Sequence, residues 1–200
     1  MVAEVLAATA TALAAVFLVP QIVGLISRRD ATGVSAVWAA FGVVTNTAWV
    51  LYLGAMGLWV AVPAPALAAA TYLIALGVIV PLGRRRSWLW LSGLYVAVLA
   101  AVALLGGLVA LGLVLSVTPA VQLAPQIIAV YSERCPSGVS PTTWSIGIVE
   151  AVLWGLYGLV VNDVALVGYG LVTSAGSMLI LGRWLATRAR WSPRATVVPA

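Results

Sequence analysis

Apolar residues run along this chain in seven long blocks, separated by short polar or glycine-rich stretches. The blocks cover roughly residues 3–27, 34–55, 58–82, 88–105, 108–131, 140–161 and 164–183. Each reaches or approaches the ~20 residues that carry a helix across a bilayer. The pattern predicts an all-α membrane protein of seven transmembrane helices. The first block is Ala-rich and close to the start, as a secretory signal would be. It has no basic residues ahead of it, it contains Glu4, and its arginines follow it, so it reads as a retained span.

The polar breaks repeat. Pro20-Gln21-Ile22, Gly33-Val34-Ser35, Trp49 and Tyr52 return as Pro125-Gln126-Ile127, Gly138-Val139-Ser140, Trp154 and Tyr157, always 105 residues later. Over the 33 positions from Pro20 to Tyr52, 13 are identical to their partners. Chance matches in apolar sequence would fall mostly on Ala, Val and Leu. These fall on Pro, Gln, Arg, Gly, Ser, Trp and Tyr, the mark of an internal duplication. Each copy holds three blocks, and the fourth block stands between them. A unit with an odd number of spans inverts when copied in tandem, and the intervening span restores its direction. The chain thus divides into a first three-helix repeat over 1–83, a linker helix over 84–107, a parallel second repeat over 108–184 and a basic tail over 185–200. Parallel repeats of this kind place a binding site near the midplane, between the two units.

Composition narrows the class further. The chain is 64% hydrophobic and 8% charged, beyond what a soluble domain of 200 residues needs. All ten basic residues are arginine. The absence of lysine excludes a retinal Schiff base. The single cysteine, Cys135, excludes an intramolecular disulfide, and no metal-ligand cluster is visible. Arg28 and Arg29, Arg84 to Arg86, Arg134, and Arg183, Arg188, Arg190 and Arg194 follow spans 1, 3, 5 and 7. They all fall on one side if seven spans alternate, which sets the N-terminus outside and the C-terminus in the cytoplasm. The net charge of +5 therefore belongs to span ends, and nucleic acid is not expected as a partner. The tail, with Pro193 and Pro199, reads as a mobile basic segment near anionic headgroups.

Candidate chemistry concentrates in the second repeat. Glu150 is the one acid near the middle of a span, where a charge costs at least ~2.5–3.5 kcal/mol. It must face the bundle, pair, or stay protonated. No described chemistry in the sequence supplies it a cationic partner at that depth. Helical spacing puts Trp154 and Tyr157 on its face, and the matching face of span 2 has Thr45, Trp49 and Tyr52, with Asn46 beside it. Two tryptophans opposed across a pseudo-twofold axis make a solute cage; packing or interfacial roles are the plain alternative. Span 5 adds the stripe Thr118, Gln122 and Gln126, with Val121 beside it. Span 7 adds Tyr169, Thr173 and Ser177, with Ser174 adjacent. Pro20 and Pro125 predict helix kinks, either static or hinge-like, with Gln21 and Gln126 able to serve the carbonyls that proline frees.

With these residues in place, the chain resembles the SWEET sugar transporters of the wider PQ-loop superfamily. The motifs that carry the resemblance are Pro20-Gln21, Pro125-Gln126 and Trp154-Gly-Leu-Tyr157-Gly158, with Trp49-Val-Leu-Tyr52 as a weaker copy. The resemblance implies a pocket lined by Trp49 with Thr45 and by Trp154 with Glu150. It implies an inner gate at Pro20, Pro125 and Pro141, with Ala36 where a fourth proline would stand. It implies an outer gate of Tyr52 with Asp163. The asparagines of that family's pocket would fall near residues 65–67 and at Gly170, and Glu150 replaces a residue that is small and neutral there. These departures favour a cationic solute or a proton-coupled cycle.

The expected function is alternating-access transport of a small polar solute across the cell membrane of a prokaryote, with facilitated sugar movement first. Proton-coupled movement of an amino acid or amine through Glu150 is the second reading, and a non-transporting ligand-binding receptor the third. No enzyme, cofactor or metal is expected. The partners are the solute, the bilayer, protons in the second reading, and a second copy of the chain if it oligomerises.

Overall fold

The computed structural model describes residues 1–82 and 87–191. Arg84, Arg85, Arg86, Pro193, Arg194 and Pro199 lie outside them, as do the side chains of Trp88 and Arg190. Among the described residues the chain is all-helical, and six helices are long and apolar enough to cross a membrane. The difference from seven arises at one glycine. The fourth and fifth apolar blocks form a single element, α5 (Ser87–Ser132), in which only Gly107 leaves helical geometry (φ 67, ψ −165). That combination is open essentially to glycine alone. The chain doubles back there. Tyr95 and Leu99 pack with Val114 in one cluster, although Tyr95 and Val114 would stand roughly 28 Å apart on a straight helix.

The first block also departs from expectation. It is two helices, α1 (Val2–Val16) and α2 (Val19–Arg28), broken at Phe17-Leu18. The cause is Pro20, whose ring excludes the carbonyl one turn earlier. It sits in the first turn of α2, where its missing N–H costs nothing. Pro125 lies inside α5 without interrupting it, so the paired prolines do not act alike. The remaining helices are α3 (Ala36–Ala55), α4 (Pro63–Leu82), α6 (Pro141–Val161) and α7 (Val164–Trp191). Helix α7 continues past 184 to Trp191, so the first residues assigned to a mobile tail are helical. Arg188 stacks on Trp184 there, 4.6 Å from the ring centre.

Ser35 and Ser140 cap α3 and α6 through Trp38 N and Thr143 N, so the repeated Gly-Val-Ser is a helix-start signal. Pro141 is in the first turn of α6, the site that tolerates proline best. The far end of α6 closes on Asn162 in the left-handed conformation (φ 56).

Packing follows the repeat. Helix α4 touches α1 and α3, and α7 touches α5 and α6. The halves meet crosswise, α1 on α6 and α5 on α3. Ala7, Ala10 and Ala14 give α1 a buried face of small side chains, which lets backbones approach closely. One apolar cluster, with Leu25, Trp38, Ile79, Val130 and Trp144, fills the end that holds the Pro-Gln motifs. A second, with Trp49, Leu53, Leu115, Trp154 and Leu166, fills the opposite end. The outside is itself apolar, with Leu51, Leu73, Val109 and Leu171 exposed, as contact with lipid rather than water requires.

Candidate functional site

The motif end is closed by two crossed glutamine clamps. Gln21 Nε2 donates to Gly138 O at 2.7 Å, and its Oε1 accepts from Ser140 N at 2.8 Å. Gln126 does the same to the other half, donating to Gly33 O at 2.7 Å and accepting from Ser35 N at 2.8 Å. Both glutamines are 1% exposed. They do not serve the carbonyls freed by the neighbouring prolines; each reads the backbone of the opposite Gly-Val-Ser loop. The loops touch directly, with Gly138 N donating to Thr32 O at 3.1 Å. A Cβ on Gly138 would stand 2.8 Å from the Thr32 backbone, and one on Gly33, at φ +78, would stand 2.8 Å from Pro136. Glycine is required at both. Outside the span ends, Ser137 Oγ donates to Asp30 Oδ2 at 2.6 Å. The Ser137 hydroxyl, and after it Thr32, holds the Asp30 carboxyl below its ordinary value of 3.8.

The opposite end has one polar closure. Tyr52 Oη donates to Asp163 Oδ2 at 3.1 Å, while Asp163 Oδ1 caps α7 by accepting from Leu166 N. Tyr157, the repeat partner of Tyr52, is buried with no hydrogen bond to a described residue.

Between the two closures lies a cavity of about 60 Å³, counted as space open to a water-sized sphere. That is room for several waters. It collects Asn46, Trp49, Gln122, Glu150, Trp154 and Thr173 from the residues singled out in the sequence. Glu150 is 7% exposed, and its Oε1 accepts from Trp154 Nε1 at 2.8 Å. Gln122 Nε2 donates to Tyr72 Oη at 2.9 Å, and Asn46 Nδ2 to Gly42 O at 2.8 Å. The Trp49 ring meets Tyr169 edge-on, with ring centres 5.5 Å apart, and Trp38 packs on Trp144 at 5.5 Å below the cavity.

Four expected residues lie elsewhere. Thr45 turns to the first half of α5, where its Oγ1 is 2.9 Å from Tyr95 Oη. Thr118 Oγ1 donates back to Leu115 O within its own helix. Val121 is 47% exposed, because one residue is a 100° step and Gln122 takes the inward face. Gly170 is the contact point of α7 on α6; a Cβ there would stand 2.6 Å from Gly155 Cα. The sequence reading missed Tyr72, Phe17, Trp144 and Pro119, which line the cavity with Tyr169 and Ser177. The repeat held a signal for two of them: stepping back 105 residues from Gln122 and Ser177 lands on Phe17 and Tyr72. No family model matches the chain, and no curated protein matches it.

Proposed function

We propose that this chain is a seven-span membrane carrier that moves a small polar solute by alternating access. In this reading two parallel three-helix repeats, 1–83 and 108–184, flank the linker helix 84–107, with the amino terminus outside and the carboxyl terminus in the cytoplasm. One observation carries it: a cavity stands between two polar closures, each made by residues from both copies of the sequence repeat. Net contributions of ~1 kcal/mol per hydrogen bond suit a closure that must break and re-form. A ligand that binds the occluded state better than the open ones then biases the cycle.

The resemblance to SWEET proteins makes sugars the first solutes to try, and aromatic walls such as Trp49 and Trp154 support stacking of a sugar ring. Glu150 supports the second reading, a cationic solute or proton linkage. The deciding experiment is counterflow into liposomes holding the purified protein, with a sugar, an amino acid and an amine as solutes. Movement that Trp49→Ala abolishes is the expected result. Saturable binding without movement would replace the carrier with a receptor on the same fold.

A further inference from the structure

Glu150 is the only charged side chain lining the cavity among the described residues. Its single hydrogen bond uses Oε1, and Oε2 has no partner among them. A carboxylate offers about four acceptor positions, so most of its capacity is unspent. No described arginine pairs with it; the one ion pair among described residues joins the amino terminus to Glu4. The groups that face the cavity from the other helices are neutral: Asn46 from α3, Tyr72 from α4, Gln122 from α5, Tyr169 and Thr173 from α7.

The rest of the lining is neutral and largely aromatic. The amide nitrogens of Asn46 and Gln122 already donate within the protein, while their side-chain oxygens have no described partner. Trp154 Nε1 is taken by Glu150. Donors without a described partner remain as well, at Trp49 Nε1, Trp144 Nε1 and Thr173 Oγ1, so the unpaired carboxylate, and not a shortage of donors, is what sets this lining apart. Rings from Phe17, Trp49, Tyr72, Trp144, Trp154 and Tyr169 complete the walls. Ring faces attract ammonium groups, and more strongly where water is excluded. A buried carboxylate left without a counter-ion is costly, and a cation from solution removes that cost.

We infer, resting on the carrier reading above, that the solute is a small organic cation whose ammonium group pairs with Glu150 and packs on the surrounding aromatic rings. The geometry leaves a hydroxyl or carbonyl elsewhere on the solute free to meet Asn46, Gln122 or Thr173.

The test compares choline with dimethylbutanol, its neutral isostere in which carbon replaces nitrogen. Binding to purified wild-type protein and uptake into liposomes are both measured. Choline should bind roughly tenfold to thirtyfold more tightly than the isostere, the size of a desolvated contact between a cation and an aromatic ring. Glu150→Gln should erase that preference. The variant retains a side-chain oxygen for Trp154 Nε1, and its melting temperature checks that it folds. Trp49→Leu should weaken choline more than the isostere, which needs no charge on the ring. Equal binding of the two probes to the wild type would overturn the cation assignment, and sugar uptake in the same liposomes would then leave the carrier reading standing. Unchanged choline preference in Glu150→Gln would also overturn it. Tight, Glu150-dependent binding without uptake would uphold the cation site and overturn the carrier.

Discussion

The two halves of this molecule agree at one end and disagree in the middle. At the motif end, Gln21 and Gln126 make the same two bonds to the same two positions of the opposite loop, within 0.1 Å of each other, at 2.7 and 2.8 Å. At the cavity the equivalent tryptophans part company. Trp154 donates to Glu150 one turn earlier, while Trp49 has Thr45 there, and Thr45 is engaged by Tyr95. The Trp49 Nε1 is left buried without a partner. Symmetry is kept where the two repeats bond to each other's loops, and is lost around the cavity.

The largest expected effect tests the symmetric end. Gln21→Ala and Gln126→Ala each strand a buried carbonyl and N–H, and each should destabilise the protein by about 2–4 kcal/mol. Equal losses in thermal unfolding would sharpen the equivalence; one large and one negligible loss would break it. Next comes the unmatched closure at the opposite end. Tyr52→Phe should cost about 1–2 kcal/mol by removing a bond to a carboxylate, whereas Tyr157→Phe should be nearly silent. Matching losses in the two variants would remove Asp163 from the closure.

Thr45→Val follows, at about 1 kcal/mol for the lost bond with Tyr95, with solute binding unchanged. Weakened binding in that variant would return Thr45 to the site. The smallest effect concerns Ser137→Ala, since Asp30 has no acidic counterpart in the other half; Cys135 stands there. A lowered carboxyl pKa stabilises only while the group is charged. Its contribution is whole above pH ~4 and is lost as pH falls through the lowered value. Acid should therefore cost the wild type more than Ser137→Ala, and superimposable acid-unfolding curves would dismiss the contact.

The apolar elements, the duplication and the buried acid were legible in the sequence, because each depends on composition or on fixed spacing. The cost of a charge in lipid puts Glu150 on an inward face, and helical spacing and the repeat carry Trp154 and Trp49 with it. What stayed hidden depended on direction. Helices that are apolar all round show no periodic face, so Val121 and Gln122 could not be told apart as outward and inward. The partners of Gln21 and Gln126 lie on the opposite repeat, and local reasoning supplied the nearer proline carbonyls instead. Thr45 was read by analogy with Glu150, but its hydroxyl found Tyr95, a residue of the stretch outside both repeats. The break between the fourth and fifth apolar blocks falls at residues 106–107 in the sequence; that the reversal turns on Gly107 alone depends on its φ and ψ, which composition does not reveal.

The crossed clamps also impose a schedule. Gln21 is made 117 residues before Gly138, its acceptor. At about 5–20 residues per second, the first half waits roughly 6–24 s before its clamp can form. During that interval its Gly-Val-Ser loop has no second loop to shield it. Nascent chains arrested short of Gly138 should be cut by protease at the loop around Gly33, and chains extended past α6 should resist. Equal cleavage of both would mean that the loop is protected by its own half, before its partner exists.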